Sequence, residues 1–196
     1  MAGATLDFWF EFASTYSYLS AMRIQDLARR CDVVVRWRPF LLGPIFAAQG
    51  WPTSPFNVYP AKGRYMWRDM DRLTKARDLP FTRPDPFPRN GLLAARIALA
   101  AGPQMPAFCR AVYTAQFGGG ADIADPQVLQ NCLAQADLSV TLLDAGQDPA
   151  IKTELRHQTD RAIALGLFGA PSFTVGEEVF WGDDRLEAAL DWAAPD

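Results

Sequence analysis

Hydrophobic positions near the start of the chain change from a strand pattern to a helix pattern and back. Residues 5–10 are almost continuously apolar and aromatic, which predicts a buried β-strand. Apolar residues then recur at helical spacing, which predicts a helix over about residues 15–30 with Ser14 as its N-terminal cap. The β-branched run at 33–37 predicts a second strand. This strand–helix–strand unit predicts two parallel strands joined by a right-handed crossover.

The middle of the chain lacks a strand pattern. Residues 39–60 contain five prolines and two glycines, which predicts a long irregular connection of the kind that carries function or links domains. From Lys62 to about Asp148 the pattern is helical throughout. Helix starts are predicted at Asn90, at Pro106, at Asp125-Pro126 and at Asp148-Pro149.

The C-terminal part of the chain returns to a strand pattern. Residues 172–175 and 179–181 predict two short strands joined by a turn. Asp183 is the predicted cap of a final helix that extends through Trp192.

The order of these elements predicts an α/β protein with a thioredoxin-like fold and an inserted all-helical domain. Residues 1–58 and 160–196 are the predicted thioredoxin-like domain, and residues 59–159 are the predicted insertion. A chain of 196 residues is long enough for one compact unit of this kind with its own core.

Composition and charge exclude several classes of partner. The chain is 49% hydrophobic and 21% charged, with a formal net charge of −3, which gives no electrostatic argument for nucleic acid or for an anionic membrane. No apolar run approaches the roughly 18 residues that a membrane span needs. Residues 1–5 show neither a basic region nor the apolar segment of a signal peptide. We therefore expect a cytoplasmic protein.

The cysteines and the histidine do not form a reactive or metal-binding pattern. Cys31, Cys109 and Cys132 are widely spaced, none lies in a Cys-x-x-Cys motif, and His157 is the single histidine. Each cysteine falls on the apolar side of a predicted helix, where a free thiol behaves as a small hydrophobic group. We expect no metal site and no cysteine chemistry, and a structural or solvated role for His157.

Five stretches spread over the chain resemble the 2-hydroxychromene-2-carboxylate isomerases and, more broadly, the kappa-class glutathione transferases and the DsbA-like proteins. They are residues 14–19 (STYSYL), 38–43 (RPFLLG), 61–66 (AKGRYM), 166–173 (GLFGAPSF) and 180–185 (FWGDDR). Two positions depart from the family pattern. Thr15 stands where proline commonly follows the first serine, and Asp183 stands where relatives carry a smaller or neutral polar residue.

The resemblance gives Ser14 a chemical role. Ser14 and Ser17 occupy the positions of the two thiols in a thioredoxin-type motif, so disulfide exchange of the DsbA kind is excluded. A helix N-terminus stabilises an anion, and the Ser14 hydroxyl can donate to the thiolate of bound glutathione. The alternative roles are an ordinary helix cap for Ser14 and a first-turn serine bonded to the main chain for Ser17. A serine nucleophile is disfavoured, because no base is evident within the motif.

Further ligand contacts are implied by the same resemblance. Ala170-Pro171 resembles the cis-proline segment whose main-chain groups pair with the cysteinyl part of glutathione, although a trans proline ending a loop is the alternative. Asp184 resembles the acid that takes the γ-glutamyl ammonium. Asp183, with the helix that follows, is expected near the γ-glutamyl carboxylate. Both acids could instead be helix caps.

Two residues of the central segment complete the predicted site. Lys62 resembles a lysine that approaches the glycyl carboxylate of glutathione or the acid group of the substrate, and Asn57 is a weaker candidate for ligand contact. Either could be an ordinary surface residue. Aromatic residues are dense over 37–67, and the pattern leaves open whether they form core or line a pocket for a flat aromatic acid.

The resemblance implies a glutathione-dependent isomerase that interconverts 2-hydroxychromene-2-carboxylate and trans-o-hydroxybenzylidenepyruvate, an aromatic carboxylic acid substrate, with glutathione as cofactor. It also suggests a homodimer. A kappa-like glutathione transferase that releases a thioether is the near alternative. A redox-inactive thioredoxin-fold module that binds peptides at the 170–171 edge is an alternative of a different class.

Overall fold

The computed structural model describes residues 4–195, whose sheet has the thioredoxin arrangement. Its strands are β1 (Thr5–Phe10), β2 (Val34–Pro39), β3 (Ser172–Val175) and β4 (Glu178–Trp181). They lie in the order β2-β1-β3-β4, with β1 parallel to β2 and antiparallel to β3, which is antiparallel to β4. The predicted parallel pair and C-terminal hairpin are therefore confirmed. Residues 1–3 lie outside the described residues. They belong to the 1–5 segment for which the sequence predicts no signal peptide.

The predicted helix over residues 15–30 is two helices, α1 (Thr15–Ala21) and α2 (Ile24–Arg30). The Arg23 N–H donates to the carbonyl of Ser20 at 3.1 Å, three residues back, so the chain turns tightly at this point. The Arg23 guanidinium then reaches the carboxyl groups of Asp183 and Glu187. An apolar stripe continues through both helices, and for this reason the break is invisible in the hydrophobic pattern.

The proline-rich segment over residues 39–60 is more helical than predicted. It contains α3 (Leu42–Ala48) and α4 (Pro55–Val58), and α5 (Pro60–Ala76) begins at its last residue. Pro55 and Pro60 occupy first-turn positions, where the missing N–H has no intrahelical acceptor and costs nothing. Conversely, residues 77–91 form a loop where a helical pattern was predicted.

Of the next five helices, four begin close to a predicted start, and the short helix at Leu142–Ala145 was not predicted. They are α6 (Leu92–Ala100), α7 (Met105–Tyr113), α8 (Pro126–Gln135), α9 (Leu142–Ala145) and α10 (Pro149–Ala164). Asp125 and Asp148 cap α8 and α10 by accepting hydrogen bonds from main-chain N–H groups of the first turn, as predicted. Asn90 accepts from the Leu92 N–H at the start of α6.

One predicted cap is wrong. The final helix α11 (Leu186–Ala193) is preceded by a single 3₁₀ turn at Asp183–Arg185, and the Asp183 side chain is buried among cationic groups instead of capping the helix.

The core is continuous between the sheet and the helical block. One cluster of buried side chains includes Phe8 and Phe173 of the sheet, Tyr18 of α1 and Phe108 of α7. The predicted boundary at residue 160 falls within α10, and the division into two domains stays a prediction. Among residues 4–195, no helix combines the length and the apolar character that crossing a bilayer requires.

Candidate active site

A cleft of about 880 Å³ lies where the N-terminus of α1 meets the helices α3 to α5 and the loop before β3. Six of the predicted site residues line this cleft: Ser14, Lys62, Ala170, Pro171, Asp183 and Asp184. They come from distant parts of the chain, and the fold brings them together around one cleft. Asn57 is not among the lining residues.

Ser14 holds the end of α1 against the loop before β3. Its hydroxyl oxygen accepts from the Ser17 N–H at 3.1 Å, which is the predicted N-terminal cap. The same hydroxyl donates to the carbonyl oxygen of Ala170 at 2.8 Å. Ser14 is half-buried at the cleft wall, whereas Ser17 is fully buried and does not line the cleft.

The Ala170–Pro171 peptide bond is cis, as the family resemblance implied. The Pro171 carbonyl accepts from the Gly182 N–H at 3.0 Å, which ties this loop to the end of β4. Gly169 lies so close to Trp181 that an added Cβ would collide with the indole nitrogen. The loop before β3 is therefore held on both sides, with its Ala170 main chain facing Ser14.

The Asp183 carboxylate is occupied by groups of the protein. It accepts from the Ser20 hydroxyl at 2.9 Å and pairs with Arg23 at 3.3 Å and with Arg77 at 2.7 Å. It is 4% exposed, so these partners surround it. The Asp183 side chain therefore has a structural role. A ligand near this residue, as predicted, would contact its main chain or the neighbouring residues.

Asp184 and Lys62 present charges at the edge of the cleft. The Asp184 side chain is 75% exposed and pairs with its neighbour Arg185 at 3.3 Å. Lys62 is exposed in the first turn of α5, with its ammonium 5.8 Å from the ring centre of Tyr59. Asn57 instead donates from Nδ2 to the Phe87 carbonyl at 2.9 Å and holds the 77–91 loop against α4.

Two arginines that sequence reasoning missed also line the cleft. Arg77 follows α5 and binds Asp183, and its Nη1 is buried without a hydrogen-bond partner among the described residues. Arg89 is 12% exposed and pairs with Asp122 at 3.1 Å. Neither lies in a recognisable motif, so no signal in the sequence marks them.

A tyrosine and a carboxylate meet across the cleft. The Tyr16 hydroxyl of α1 donates to the Asp69 carboxylate of α5 at 3.0 Å. Burial, together with this hydrogen bond to a carboxylate, raises the pKa of Tyr16 well above its usual value, so the phenol stays neutral. Tyr16 lies within the STYSYL stretch, which could have drawn attention to it.

Glu11 is a further missed residue. It follows β1 directly and is 8% exposed at the cleft wall. Its carboxyl accepts from the Leu42 N–H at 3.1 Å and from the Ala13 N–H at 3.5 Å. Burial raises the pKa of Glu11 to about 7, against the lowering effect of the main-chain N–H groups. An acidic residue inside an apolar strand end, FWFEF, is the signal that could have found it.

The aromatic residues of the central segment divide between core and cleft. Trp37 and Phe40 are buried in the core. The aromatic residues that line the cleft are Phe46, Trp51, Phe56 and Tyr65, with Tyr16, Phe87, Phe168 and Trp181 from other segments. The cleft can therefore enclose a flat apolar ligand.

Comparison with known proteins agrees with this architecture. The model of the DSBA-like thioredoxin domain matches residues 5–191. A solved structure of a 2-hydroxychromene-2-carboxylate isomerase superposes with a TM-score of 0.83 at 24% identity, over 96% of this chain and 95% of that chain. This similarity confirms the predicted fold class.

Sequence relatives narrow the family. A 2-hydroxychromene-2-carboxylate isomerase of Sphingobium xenophagum is 33% identical over 185 residues, which cover 93% of this chain and 94% of the relative. Glutathione S-transferase kappa 1 of Homo sapiens is 25% identical over 201 residues, with 93% and 88% of the two chains covered. The chain belongs to the DsbA-like thioredoxin family and, within it, to the 2-hydroxychromene-2-carboxylate isomerases.

Proposed function

We propose that this protein is a glutathione-dependent isomerase that interconverts 2-hydroxychromene-2-carboxylate and trans-o-hydroxybenzylidenepyruvate. The observation that carries the proposal is the Ser14 hydroxyl at the start of α1, bonded to the main chain of Ala170 beside cis-Pro171. This position holds a hydroxyl instead of a reactive thiol, so it can bind a sulfur atom without exchanging a disulfide with it.

The residues around Ser14 fit glutathione. The Ser14 hydroxyl is a donor whose hydrogen bond to a neutral carbonyl can be replaced by a stronger one to a thiolate. The Ala170 main chain beside it offers polar groups for the peptide part of the tripeptide. Asp184 offers a carboxylate for the γ-glutamyl ammonium, and Lys62 offers an ammonium for a carboxylate.

The opposite part of the cleft fits an aromatic acid. Phe46, Trp51 and Phe56 supply apolar walls for a flat ring. Lys62, Arg77 and Arg89 supply positive charge along the same cleft in a chain whose net charge is negative. Among residues 4–195, the Lys62 ammonium forms no ion pair, so a substrate carboxylate can approach it without displacing a partner.

When bound, glutathione would supply a thiolate for reversible addition to the carbon–carbon double bond of the substrate, which permits rotation about that bond. Ser14 holds the sulfur in place and stabilises its negative charge by hydrogen bonding. The aromatic walls exclude water and orient the substrate ring. The cations of the cleft hold the carboxylate end.

The predicted homodimer and cytoplasmic location stay parts of the proposal. A kappa-like transferase is the second candidate, and similarity to the human kappa enzyme favours it to a lesser degree than the 33% identity favours the isomerase. The two differ in what becomes of glutathione, which the transferase consumes and the isomerase returns.

The test combines binding with product analysis. Calorimetric titration should show glutathione binding to the purified protein, and the chromene substrate should be converted to its open isomer while total glutathione stays constant. S-methylglutathione, which lacks the thiol, is the control and should bind but support no turnover. Stoichiometric loss of glutathione would establish the transferase instead, and the absence of glutathione binding would favour the redox-inactive peptide-binding module.

A further inference from the structure

The Glu11 carboxyl occupies a place in the cleft that the proposed sulfur chemistry does not use. It lies three residues before Ser14, in the turn that joins β1 to α1, and both residues line the cleft. Within residues 4–195, no lysine, arginine or histidine pairs with this carboxyl; its partners are main-chain N–H groups, chiefly that of Leu42. A buried carboxyl without a cation is costly to keep ionised, so a purely structural role would be better served by an amide.

Gly91 packs closely against this carboxyl. Gly91 lines the cleft beside it, and a Cβ added there would lie 3.2 Å from Glu11 Oε1 and 2.9 Å from Phe12 Cβ. Oε2 is held by the Leu42 N–H at 3.1 Å. A side chain at 91 would press on Phe12 and on Oε1, so glycine allows this close packing at a part of the cleft wall that Gly91 and Glu11 share.

The environment of Glu11 suits reversible proton transfer. Burial brings its pKa to about 7, so the acid and the carboxylate are both populated near neutral pH. Tyr113, on α7, is the titratable side chain packed against the same turn, and its hydroxyl donates to the Glu11 carbonyl at 3.0 Å. Burial raises the pKa of Tyr113 well above its usual value, so this neighbour stays neutral.

The chemistry of the proposed substrate requires such a group. A 2-hydroxychromene is a cyclic hemiketal, in which one carbon carries both the hydroxyl and the ring oxygen. When the ring opens, the hydroxyl loses its proton and becomes a carbonyl, the bond from that carbon to the ring oxygen breaks, and the ring oxygen takes up a proton to become a phenol. No proton is gained or lost overall, but one must move between two oxygens of the same carbon.

We propose that Glu11 is a second catalytic residue, which moves this proton during opening and closing of the chromene ring. The two oxygens of the hemiketal are attached to one carbon, so a single carboxyl oxygen, Oε1, can take the proton from the hydroxyl and return it to the ring oxygen, while Oε2 stays held by the Leu42 N–H. The inference rests on the proposed function and extends it, since it assigns to a separate residue the step that precedes addition of the sulfur.

The experiment compares two substrates. The first is the chromene, and the second is cis-benzylidenepyruvate without the ortho-hydroxyl, prepared photochemically, which can isomerise about its double bond but has no ring to open. Glu11→Gln should lower kcat/KM for the chromene about 100-fold or more, the usual effect of removing a general acid–base group. Its rate with the acyclic compound and its affinity for glutathione should stay within about twofold of wild type.

A second variant keeps the test decisive if Glu11→Gln does not fold, which thermal unfolding would show. Glu11→Asp retains a carboxyl on a shorter side chain and should lose rate selectively on the chromene, with a smaller loss than the amide causes. Equal losses on both substrates, or unchanged chromene turnover in a folded variant, would overturn the role of Glu11. Wild-type protein that converts neither compound would overturn the proposed function itself.

Discussion

At the scale of single residues, the cleft contains two titratable side chains whose pKa values are raised by burial. Glu11 and Tyr16 both line it, and burial raises the pKa of each. For the phenol this means a neutral donor at all physiological pH values. For the carboxyl it means a charge that changes within the physiological range, with a consequence for stability as well as for chemistry.

Glu11 should make the folded state less stable as pH rises. In the unfolded chain its pKa is near the ordinary value of 4.5, and in the folded protein it is about 7. Between these values the folded state binds more protons than the unfolded state, so the free energy of unfolding falls with increasing pH and the loss is complete above pH 7. The full effect is about 3 kcal/mol. Below pH 4.5 both states are protonated and the effect vanishes.

Denaturant unfolding at pH values from 4.5 to 8 measures this effect. Glu11→Gln cannot ionise, so its stability relative to wild type should increase steadily over that range and level off above pH 7. The difference between the two proteins isolates Glu11 from the other titrating groups. Stability curves that run parallel across the range would show that the carboxyl is not perturbed as the structure indicates.

At the scale of elements, the site depends on how helices begin. Ser14 caps the N-terminus of α1 and also donates to the Ala170 carbonyl. One side chain therefore starts a helix and joins it to the loop before β3. Asp148 caps α10 by accepting from the Ala150 N–H at 2.7 Å, and it does not line the cleft. The two caps are chemically similar, but only one is placed to meet a ligand.

These two caps form a matched pair for mutation. Ser14→Ala and Asp148→Ala should each lower stability by about 1 kcal/mol, the usual effect of losing a helix cap. Ser14→Ala should in addition reduce turnover by about 10- to 1000-fold, because a donor to an anion is removed, whereas Asp148→Ala should leave turnover unchanged. Steady-state kinetics with thermal unfolding checks both. Equal turnover in the two folded variants would mean that Ser14 is a cap alone.

At the scale of the whole molecule, Asp183 connects the thioredoxin-like part to the helical block. Ser20 and Arg23 reach it from α1 and the α1–α2 junction, and Arg77 reaches it from the end of α5. The cleft lies between these same parts, and Asp183 and Arg77 both line it. The network therefore sets how the two walls of the cleft are joined.

Asp183→Asn should be strongly destabilising, because it removes a buried carboxylate charge that two partly buried guanidinium groups share. We expect a loss of about 3–5 kcal/mol in the free energy of unfolding, measured with denaturant. The neighbouring Asp184→Asn is the control, and since its side chain is 75% exposed it should change stability by no more than about 0.5 kcal/mol. A loss at Asp183 as small as that at Asp184 would show that the network is not a structural connection.

Local pattern determined the elements whose stability is itself local. The strand β1, the caps at Ser14, Asp125 and Asp148, and the C-terminal hairpin could all be predicted, because side-chain periodicity and capping involve residues within about four positions of each other. Family resemblance added the cis peptide bond at Pro171. The break at Arg23 could not be predicted, since the side chain that occupies the turn is directed by partners far along the sequence.

The tertiary structure alone decided which side chains share the cleft. Ser14 and Ala170 are 156 positions apart, and Arg77 and Asp183 are 106 positions apart, so no local rule relates them. Folding also separated the aromatic residues of 37–67 into core and cleft, and it turned Asn57 towards a neighbouring loop. Burial raised the pKa of Glu11. A residue becomes buried only when distant segments of the chain pack around it, so no local pattern could show this.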